Sequence, residues 1–381
     1  MNKGLVMNTY KRWPAEFVSG TGCTLVDSDG RTFLDLIAGL AVMNVGHSHP
    51  RVTAAIVEQA GRLTHVSNLY GTGPQRELSE RLGGLTGGFC SFFCNSGAEA
   101  IEAALKLARR ATGKAGVIAA TGGFHGRTFG ALSVTGQPAK QEPFKPLLPG
   151  VVHVPYDDVA SLEEAMTDEI GAVLLEPIQG EAGVIVPSED YLQLVRKICF
   201  EAGVLLILDE IQTGVGRTGD WFAFEAAEIS PDVVCLAKGL AGGLPIGACL
   251  AAPEVASAFQ PGDHASTFGG GPVPCSAALA VLQVIEEQGL LQNATEAGAR
   301  FTNGLRGIFG DQAIVRGRGL LIGVELPDEK ARSLVQAAFD RGVLVNDATP
   351  RVLRLAPPLV ISEEEVDQGL QVLKEAWDEV G

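Results

Sequence analysis

Residues 204–219 read VLLILDEIQTGVGRTG, and this stretch decides the fold of the chain. Its first half has the length and aliphatic composition of a buried strand, and it ends in Asp209 and Glu210. Three hypotheses explain this polar end: the acidic strand of an ATPase, a dinucleotide loop built on Gly214, Gly216 and Gly219, or a carboxylate that pairs with a cofactor ring. The rest of the chain has to decide among them.

Similar apolar runs recur between residues 51 and 270, and most are separated by helix-length segments. Strands that are apolar on both faces are typical of a largely parallel sheet covered by helices, so we predict an α/β fold here. Ligands of such sheets bind at the carboxyl ends of the strands. The predicted strands lie in GFCSFFCN, AGVIAAT, GVVHVPY, IGAVLLEP, GVLLILDE, DVVCLAK and IGACLAA.

The two ends of the chain have a different pattern. The runs GLLIGVEL, GVLVN and RVLRLAPPLV, a helix near residues 328–341 and a closing acidic helix indicate a small α+β domain. The segment GCTLVDSDGRTFLDL has two hairpin-like runs. We predict an N-terminal segment (1–50) that packs with the small domain, a large α/β domain (51–270) and a C-terminal small domain (271–381).

Composition and charge restrict the partners of the chain. Of its 381 residues, 46% are hydrophobic and 19% charged, which favours a globular fold over disorder. The net charge of −16 argues against nucleic acid or an anionic membrane as a partner, because both require a basic face. No apolar stretch reaches the roughly 18 to 20 residues that span a bilayer, and MNKGLVMNTYKRWP lacks the apolar segment of a signal peptide. We therefore expect a cytoplasmic protein.

The seven cysteines do not indicate a metal site. They are scattered singly, except for Cys90 and Cys94, which flank SFF. Zinc sites usually use tighter pairs that occur twice, so we expect buried, reduced thiols and no metal.

Two of the three hypotheses for residues 204–219 require sequence motifs that the chain does not contain. An ATPase needs a phosphate loop of the form G-x-x-x-x-G-K-[ST], but the only Gly-Lys pair, Gly113-Lys114, is followed by Ala115 and lacks the first glycine. A dinucleotide loop should follow its strand directly and open a helix, whereas DEIQT intervenes here and GDWFAF follows.

Two further segments favour the third hypothesis. In FFCNSGAEAIEAALKLARR, Asn95 or Ser96 can cap a helix whose first N–H groups, on Gly97 and Ala98, would suit a phosphate, although an ordinary capped helix is the alternative. In VVCLAKGLAGGLPIGA, Lys238 ends an apolar strand. A buried lysine loses its charge readily and makes a good nucleophile toward a carbonyl, although a lysine that reaches solvent from the sheet edge is the alternative.

A phosphate site, an acidic strand end and a buried lysine together fit pyridoxal phosphate. A lysine binds the aldehyde of this cofactor, an aspartate keeps its ring nitrogen protonated, and a helix N-terminus holds its phosphate. The sequence therefore favours Asp209 as the partner of the cofactor ring.

The chain resembles the class III (ornithine-type) aminotransferases of pyridoxal-phosphate fold type I over nearly its whole length. The resemblance implies a homodimeric enzyme that moves the terminal amino group of a donor such as N2-acetylornithine to 2-oxoglutarate. Ornithine, 4-aminobutyrate, succinylornithine and acetyl-lysine are alternative donors, and a semialdehyde aminomutase is an alternative reaction. The motifs that carry the resemblance are GHSHP, NSGAEA, GGFHGRT, EPIQGEAG, LDEIQTGVGRTG, LAKGLAGGLPIGA, STFGG and RLAPPLVI.

The resemblance also implies a role for each site residue. Lys238 would bind the cofactor covalently, Asp209 would pair with the ring nitrogen and Gln212 would lie near the ring hydroxyl. Phe124 would stack on the ring, and Thr267 would reach the phosphate of the neighbouring subunit. The phosphate would be held by Ser96, Gly97 and Ala98, and the substrates would contact Tyr10, Arg127, Glu181 and Arg354.

The two substrates make different demands on the arginines. Acetylornithine reacts at a carbon without a carboxylate, whereas glutamate reacts beside one. Pairing of Arg354 with Glu181 in one half-reaction, and its release in the other, would avoid an unpaired buried charge. Arg127 would bind the distal carboxylate in both half-reactions.

Four positions depart from the family pattern without touching the predicted cofactor set: Met43, Gly71, Ile101 and Gly271. Of these, Gly71 could widen the substrate pocket, because relatives often have a bulkier side chain there. A non-catalytic binding module is the alternative from another class of protein. It would be indicated by loss of Lys238 or Asp209, and both are present.

Overall fold

The computed structural model describes residues 6–380 and confirms the predicted α/β fold. The strands are β1 (Phe17–Thr21), β2 (Thr24–Asp27), β3 (Thr32–Asp35), β4 (Cys90–Cys94), β5 (Gly116–Ala120), β6 (Val151–Val154), β7 (Ile170–Leu175), β8 (Leu205–Asp209), β9 (Val233–Leu236), β10 (Gly247–Ala251), β11 (Ile314–Arg318), β12 (Leu321–Glu325), β13 (Val343–Leu344), β14 (Asn346–Thr349) and β15 (Val352–Leu355). The α-helices are α1 (Ala38–Ala41), α2 (Pro50–Arg62), α3 (Gly73–Leu85), α4 (Gly97–Thr112), α5 (Phe129–Val134), α6 (Pro138–Gln141), α7 (Val159–Glu164), α8 (Tyr191–Ala202), α9 (Pro253–Ala256), α10 (Pro272–Glu287), α11 (Leu290–Phe309), α12 (Ala331–Asp340) and α13 (Glu363–Val380).

The central sheet contains one strand from each of the seven predicted segments. Its order is β4-β10-β9-β8-β7-β5-β6, with parallel pairing from β9 through β6 and antiparallel pairing of β10 with both β4 and β9. All residues of β5, β7, β9 and β10 are buried, as expected for strands covered on both faces. The carboxyl ends of β4, β7, β8 and β9 share one edge of the sheet, and this edge carries the site.

Two smaller sheets are formed by the ends of the chain. The first has the order β1-β2-β3-β13, in which β13 from the C-terminal part pairs in parallel with β3 from the N-terminal part. The second has the antiparallel order β11-β12-β15-β14. Helix α10 packs against α2 and α3. The division at residues 50 and 270 stays a prediction.

The cysteines depart from the sequence expectation at one position. Six are buried, but Cys90 is exposed because it begins β4 at the edge of the central sheet, and all seven are free thiols. In residues 6–380, no helix is both long and apolar enough to cross a membrane.

Candidate active site

A cavity of about 330 Å³ lies at the carboxyl edge of the central sheet. The strands converge there, so side chains far apart in the sequence meet in one place. Lys238, Asp209, Ser96, Gly97, Ala98, Phe124, Gln212 and Glu181 are the predicted site residues that line it. The structure therefore brings together most of the residues that the sequence identified.

Lys238 lies two residues after the end of β9, in a constrained backbone conformation. Its φ of 30° lies in the left-handed region that side chains other than glycine rarely adopt, which is typical of residues held in place for a function. The next residue must be glycine, because a Cβ on Gly239 would lie 2.3 Å from Nδ2 of Asn44. Burial, and secondarily the charge of Arg354, lower the pKa of Lys238. The amine therefore becomes neutral and nucleophilic more readily than a surface lysine.

Asp209 is buried at the end of β8 and is held by two hydrogen bonds. Its Oδ2 lies 2.7 Å from Nδ1 of His125, and its Oδ1 accepts the N–H of Ile211 at 3.0 Å. An ionised carboxylate can only accept, so Nδ1 carries the proton. The oxygens of a carboxylate have further lone pairs. Asp209 can therefore also accept a hydrogen bond from a protonated ring nitrogen in the cavity.

His125 is a site residue that the sequence analysis missed. The imidazole is buried, its backbone N–H donates to Oγ1 of Thr135 at 3.0 Å, and its Nε2 has no hydrogen-bond partner in residues 6–380. It stands 84 positions from Asp209. The only local signal was its place between Phe124 and Gly126, after a buried strand.

Glu176, which follows β7, fixes the backbone beside Phe124. Its carboxylate accepts the N–H of Phe124 at 2.9 Å and the N–H of Gly180 at 3.3 Å. Burial raises the pKa of Glu176 to about 7. The bond to Phe124 fixes the backbone of a residue that lines the cavity.

The N-terminus of α4, where the anion site is predicted, borders the cavity. Oγ of Ser96 accepts the N–H of Glu99 at 3.3 Å, and the Glu99 carboxylate accepts the N–H of Asn95 at 2.8 Å. This cap leaves the N–H groups of Gly97 and Ala98 without a protein acceptor in the described residues, and both residues line the cavity. The hydroxyl of Ser96 can still donate its own proton. A phosphate fits this arrangement.

Arg354, on β15, contacts two residues of the cavity lining, Glu181 and Gln212. Its side chain is buried, its Nη1 donates to Oε1 of Glu181 at 2.7 Å, and its Nε donates to Oδ1 of Asn346 at 3.0 Å. Burial acts to raise the pKa of Glu181, but Arg354 together with Lys238 and Lys140 outweighs it and the pKa is lowered. Gln212 lies 3.4 Å from the same guanidinium nitrogen. The sequence analysis did not identify Asn346.

Four predicted residues are absent from the cavity lining: Tyr10, Arg127, Thr267 and Arg354, of which Arg354 contacts the lining residue Glu181. Tyr10 is 72% exposed, Thr267 is exposed in a neighbouring depression beside Phe268, and Arg127 is exposed with its guanidinium carbon 5.6 Å from the centre of the Phe124 ring. Their roles stay predictions. The four positions that depart from the family pattern are also absent from the cavity lining: Met43, Gly71, Ile101 and Gly271.

The chemistry of these groups fits one cofactor. A buried amine, a buried carboxylate, an aromatic wall and a helix N-terminus surround one cavity, which matches the aldehyde, ring nitrogen, ring face and phosphate of pyridoxal phosphate. A Cβ on Gly97 would lie 2.7 Å from Cδ1 of Ile211, so the backbone can approach this closely only at a glycine. The fold and site thus define a pyridoxal-phosphate enzyme of fold type I.

Comparison with known proteins identifies a family within the pyridoxal-phosphate enzymes of fold type I. The sequence profile of the class-III aminotransferases matches residues 6–377. An acetylornithine aminotransferase of Methanosarcina mazei is 50% identical over 97% of this chain and 94% of that protein. An acetylornithine aminotransferase of Mycolicibacterium smegmatis is 49% identical over 99% of this chain and 97% of that protein.

The crystal structure of ornithine aminotransferase from Toxoplasma gondii superposes with a TM-score of 0.95 at 35% identity. The match covers 99% of this chain and 93% of that one. The chain belongs to the class-III aminotransferase family.

Proposed function

We propose that this chain transfers the terminal amino group of N2-acetylornithine to 2-oxoglutarate. The products are N-acetylglutamate 5-semialdehyde and glutamate, as in arginine biosynthesis. The observation that carries the proposal is the buried pair of Arg354 with Glu181 beside Lys238, because it lets one site accept a reacting carbon with or without a carboxylate. The names of the relatives from Methanosarcina mazei and Mycolicibacterium smegmatis support this donor.

The residues of the chain have separable tasks. When bound, pyridoxal phosphate accepts the amino group through its aldehyde and withdraws electrons from the reacting carbon. Nζ of Lys238 would hold the cofactor and remove the proton from the reacting carbon of the donor. The carboxylate of Asp209, oriented by His125, would keep a proton on the ring nitrogen. The N–H groups of Gly97 and Ala98 would hold the phosphate.

Arg354 and Glu181 would adapt the site to each substrate. With acetylornithine, Glu181 neutralises Arg354, so no buried charge is left unpaired. With glutamate, the α-carboxylate of the substrate would replace Glu181 as the partner of Arg354. Arg127 would bind the distal carboxylate of both substrates.

A panel of amino donors with 2-oxoglutarate tests this proposal. N2-acetylornithine, ornithine, 4-aminobutyrate, succinylornithine and acetyl-lysine are offered separately, and glutamate formation is measured. N2-acetylornithine should give the highest kcat/KM. A higher value for any other donor would reassign the enzyme within the family, and the absence of glutamate with every donor would reject the proposed reaction.

We also propose a cytoplasmic homodimer in which Thr267 contacts the cofactor phosphate of the neighbouring subunit. Leu69 is 85% exposed, Tyr70 70% and Phe268 65%, and such large apolar side chains in the two depressions that Thr267 lines suit a protein interface. The free cysteines fit a reducing compartment.

Mixed dimers of the variants Lys238→Ala and Thr267→Ala test this sharing. If Thr267 acts in the partner's site, the mixed dimer has one site with both wild-type groups and recovers about half of wild-type activity. If Thr267 acts within its own chain, the only site with Lys238 also lacks Thr267, and activity is no higher than about half that of the Thr267→Ala homodimer.

A further inference from the structure

Two positive side chains lie over the Phe124 ring at the cavity wall. The ring centre is 5.0 Å from Nζ of Lys140 and 5.6 Å from the guanidinium carbon of Arg127. In residues 6–380, neither cation has a carboxylate oxygen within ion-pair distance. Interaction with the ring face stabilises both cations but does not neutralise them.

Lys140 is held in place by a neighbouring glutamine. It belongs to the short helix α6 and is partly buried, whereas lysines are mostly exposed. Oε1 of Gln137 accepts a hydrogen bond from Nζ of Lys140, and Nε2 of Gln137 donates to the carbonyl of Gly122 at 2.8 Å. Because Gly122 is two residues before Phe124, this bridge fixes the ammonium against the backbone segment that forms the wall.

The negative groups near Lys140 are already engaged. Its electrostatic neighbours are Glu181, Arg127, Glu176 and Arg354. Glu181 is paired with Arg354 at 2.7 Å, and Glu176 accepts two backbone N–H groups while burial raises its pKa to about 7. The two cations on the Phe124 ring therefore determine the sign of the charge at this end of the site.

We propose that Lys140 joins Arg127, to which the distal carboxylate is already assigned, in a charge filter that selects donors whose α-nitrogen is acylated. This inference rests on the proposed function. In N2-acetylornithine the α-nitrogen is a neutral amide, whose carbonyl can accept a hydrogen bond from the Lys140 ammonium. In ornithine the same nitrogen is an ammonium, which two nearby cations repel. The filter thus combines an attraction for the correct donor with a repulsion of the wrong one.

Substitution of Lys140 tests the filter by donor discrimination in the holoenzyme. Lys140→Met removes the charge and keeps most of the volume, so the ratio of kcat/KM for N2-acetylornithine to that for ornithine should fall by about tenfold or more. Lys140→Arg keeps the charge and should restore most of the ratio. Lys145→Gln is the matched control, because Lys145 lies five residues away, is 59% exposed and is paired with Glu142. For Lys145→Gln, the ratio of kcat/KM for N2-acetylornithine to that for ornithine should equal the wild-type ratio.

Binding of glutarate gives a second readout that does not depend on the donor. By calorimetry on the holoenzyme, Lys140→Met should weaken binding of this dicarboxylate by about tenfold, because one cation of the distal subsite is lost. If wild type uses N2-acetylornithine but Lys140→Met changes neither the donor ratio nor glutarate affinity, the filter is rejected and the proposed function stands. If wild type does not use N2-acetylornithine but Lys140→Met still weakens glutarate binding, the proposed donor is rejected and the cationic subsite stands.

Discussion

Nη1 of Arg354 lies 2.7 Å from Oε1 of Glu181, and this bond joins strand β15 to the segment that follows β7. The arginine is almost completely buried, so removal of its partner without replacement would leave an uncompensated charge in the protein interior. Asn346 and Gln212 hold the guanidinium from other directions. We therefore propose that Arg354 exchanges Glu181 for a substrate carboxylate while it keeps its contacts with Asn346 and Gln212.

Arg354→Ala should separate the two half-reactions. The half-reaction with glutamate should slow by roughly 30-fold or more, since a charge-assisted carboxylate contact contributes about 2 to 5 kcal/mol. The half-reaction with N2-acetylornithine should change far less. Stopped-flow absorbance of the cofactor with each donor alone measures both rates. Equal losses in the two half-reactions would mean that Arg354 is a general anchor.

Glu181→Ala should shift the substrate preference toward glutamate, which is the opposite of the effect expected for Arg354→Ala. Without Glu181 the guanidinium is permanently available, so glutamate and other α-amino acids should react better relative to N2-acetylornithine. Glu181→Gln is the informative companion, because it keeps the volume and one acceptor but removes the charge. If neither variant raises the relative rate with α-amino acids, then Glu181 does not control access to Arg354.

Lys238→Ala should abolish turnover, because the same amine holds the cofactor and moves the proton at the reacting carbon. Wild-type holoenzyme should be yellow, borohydride should bleach it, and mass spectrometry should then find the reduced cofactor on the peptide that contains Lys238. The variant should give no such modified peptide. Near-normal turnover by Lys238→Ala would overturn the assignment of the nucleophile.

Asp209→Asn should fold but transaminate very slowly. A neutral amide cannot hold a proton on the ring nitrogen, and its NH₂ group would compete with the proton on Nδ1 of His125, which lies 2.7 Å from Oδ2. Activity above about a tenth of wild type, equivalent to less than about 1.4 kcal/mol of transition-state stabilisation, would make Asp209 a structural carboxylate. Cofactor affinity, measured by equilibrium dialysis, should fall in parallel.

The central sheet was predictable because its strands are local patterns. Each is a short apolar run bounded by glycine or a polar residue, and Asp209 and Lys238 mark strand ends in the sequence itself. The order of the strands was not predictable in this way. Pairing of β10 with β4 depends on contacts between segments more than 100 residues apart, which no local period encodes.

The same distinction applies to the site. Lys238, Asp209 and the α4 N-terminus were recognisable from residue type and position, but the contact of His125 with Asp209 and that of Asn346 with Arg354 arise only when separate strands meet. Helix α10 gives a similar example. It begins after the predicted boundary at residue 270 yet packs against α2 and α3, because its apolar face has to be buried against whatever the fold brings near it.

The buried Glu210 should make the stability of the fold depend on pH. Its carboxylate accepts the N–H of Phe224 at 3.0 Å and the hydroxyl of Thr213, and burial raises its pKa from 4.5 to about 7. Below pH 4.5 the folded and unfolded forms are both protonated. Between pH 4.5 and about 7 the unfolded form releases the proton while the folded form keeps it, so stability should fall as pH rises, by at most about 1.4 kcal/mol per pH unit for this group.

Glu210→Gln should remove this part of the pH dependence. The amide oxygen can accept the N–H of Phe224 and the amide NH₂ can donate to Thr213, so both contacts survive without an ionisable group. Thermal unfolding midpoints of the apoprotein at pH 5 and pH 8 should therefore differ less in the variant than in wild type. The unfolding midpoint of the variant should still decrease somewhat from pH 5 to pH 8, because the pKa of Glu176 is also raised to about 7. Glu201→Gln, at an exposed position of α8, is the control and should match wild type at both pH values. If Glu210→Gln shows the full wild-type decrease, then Glu210 is ionised in the folded protein throughout this range and the burial argument is wrong.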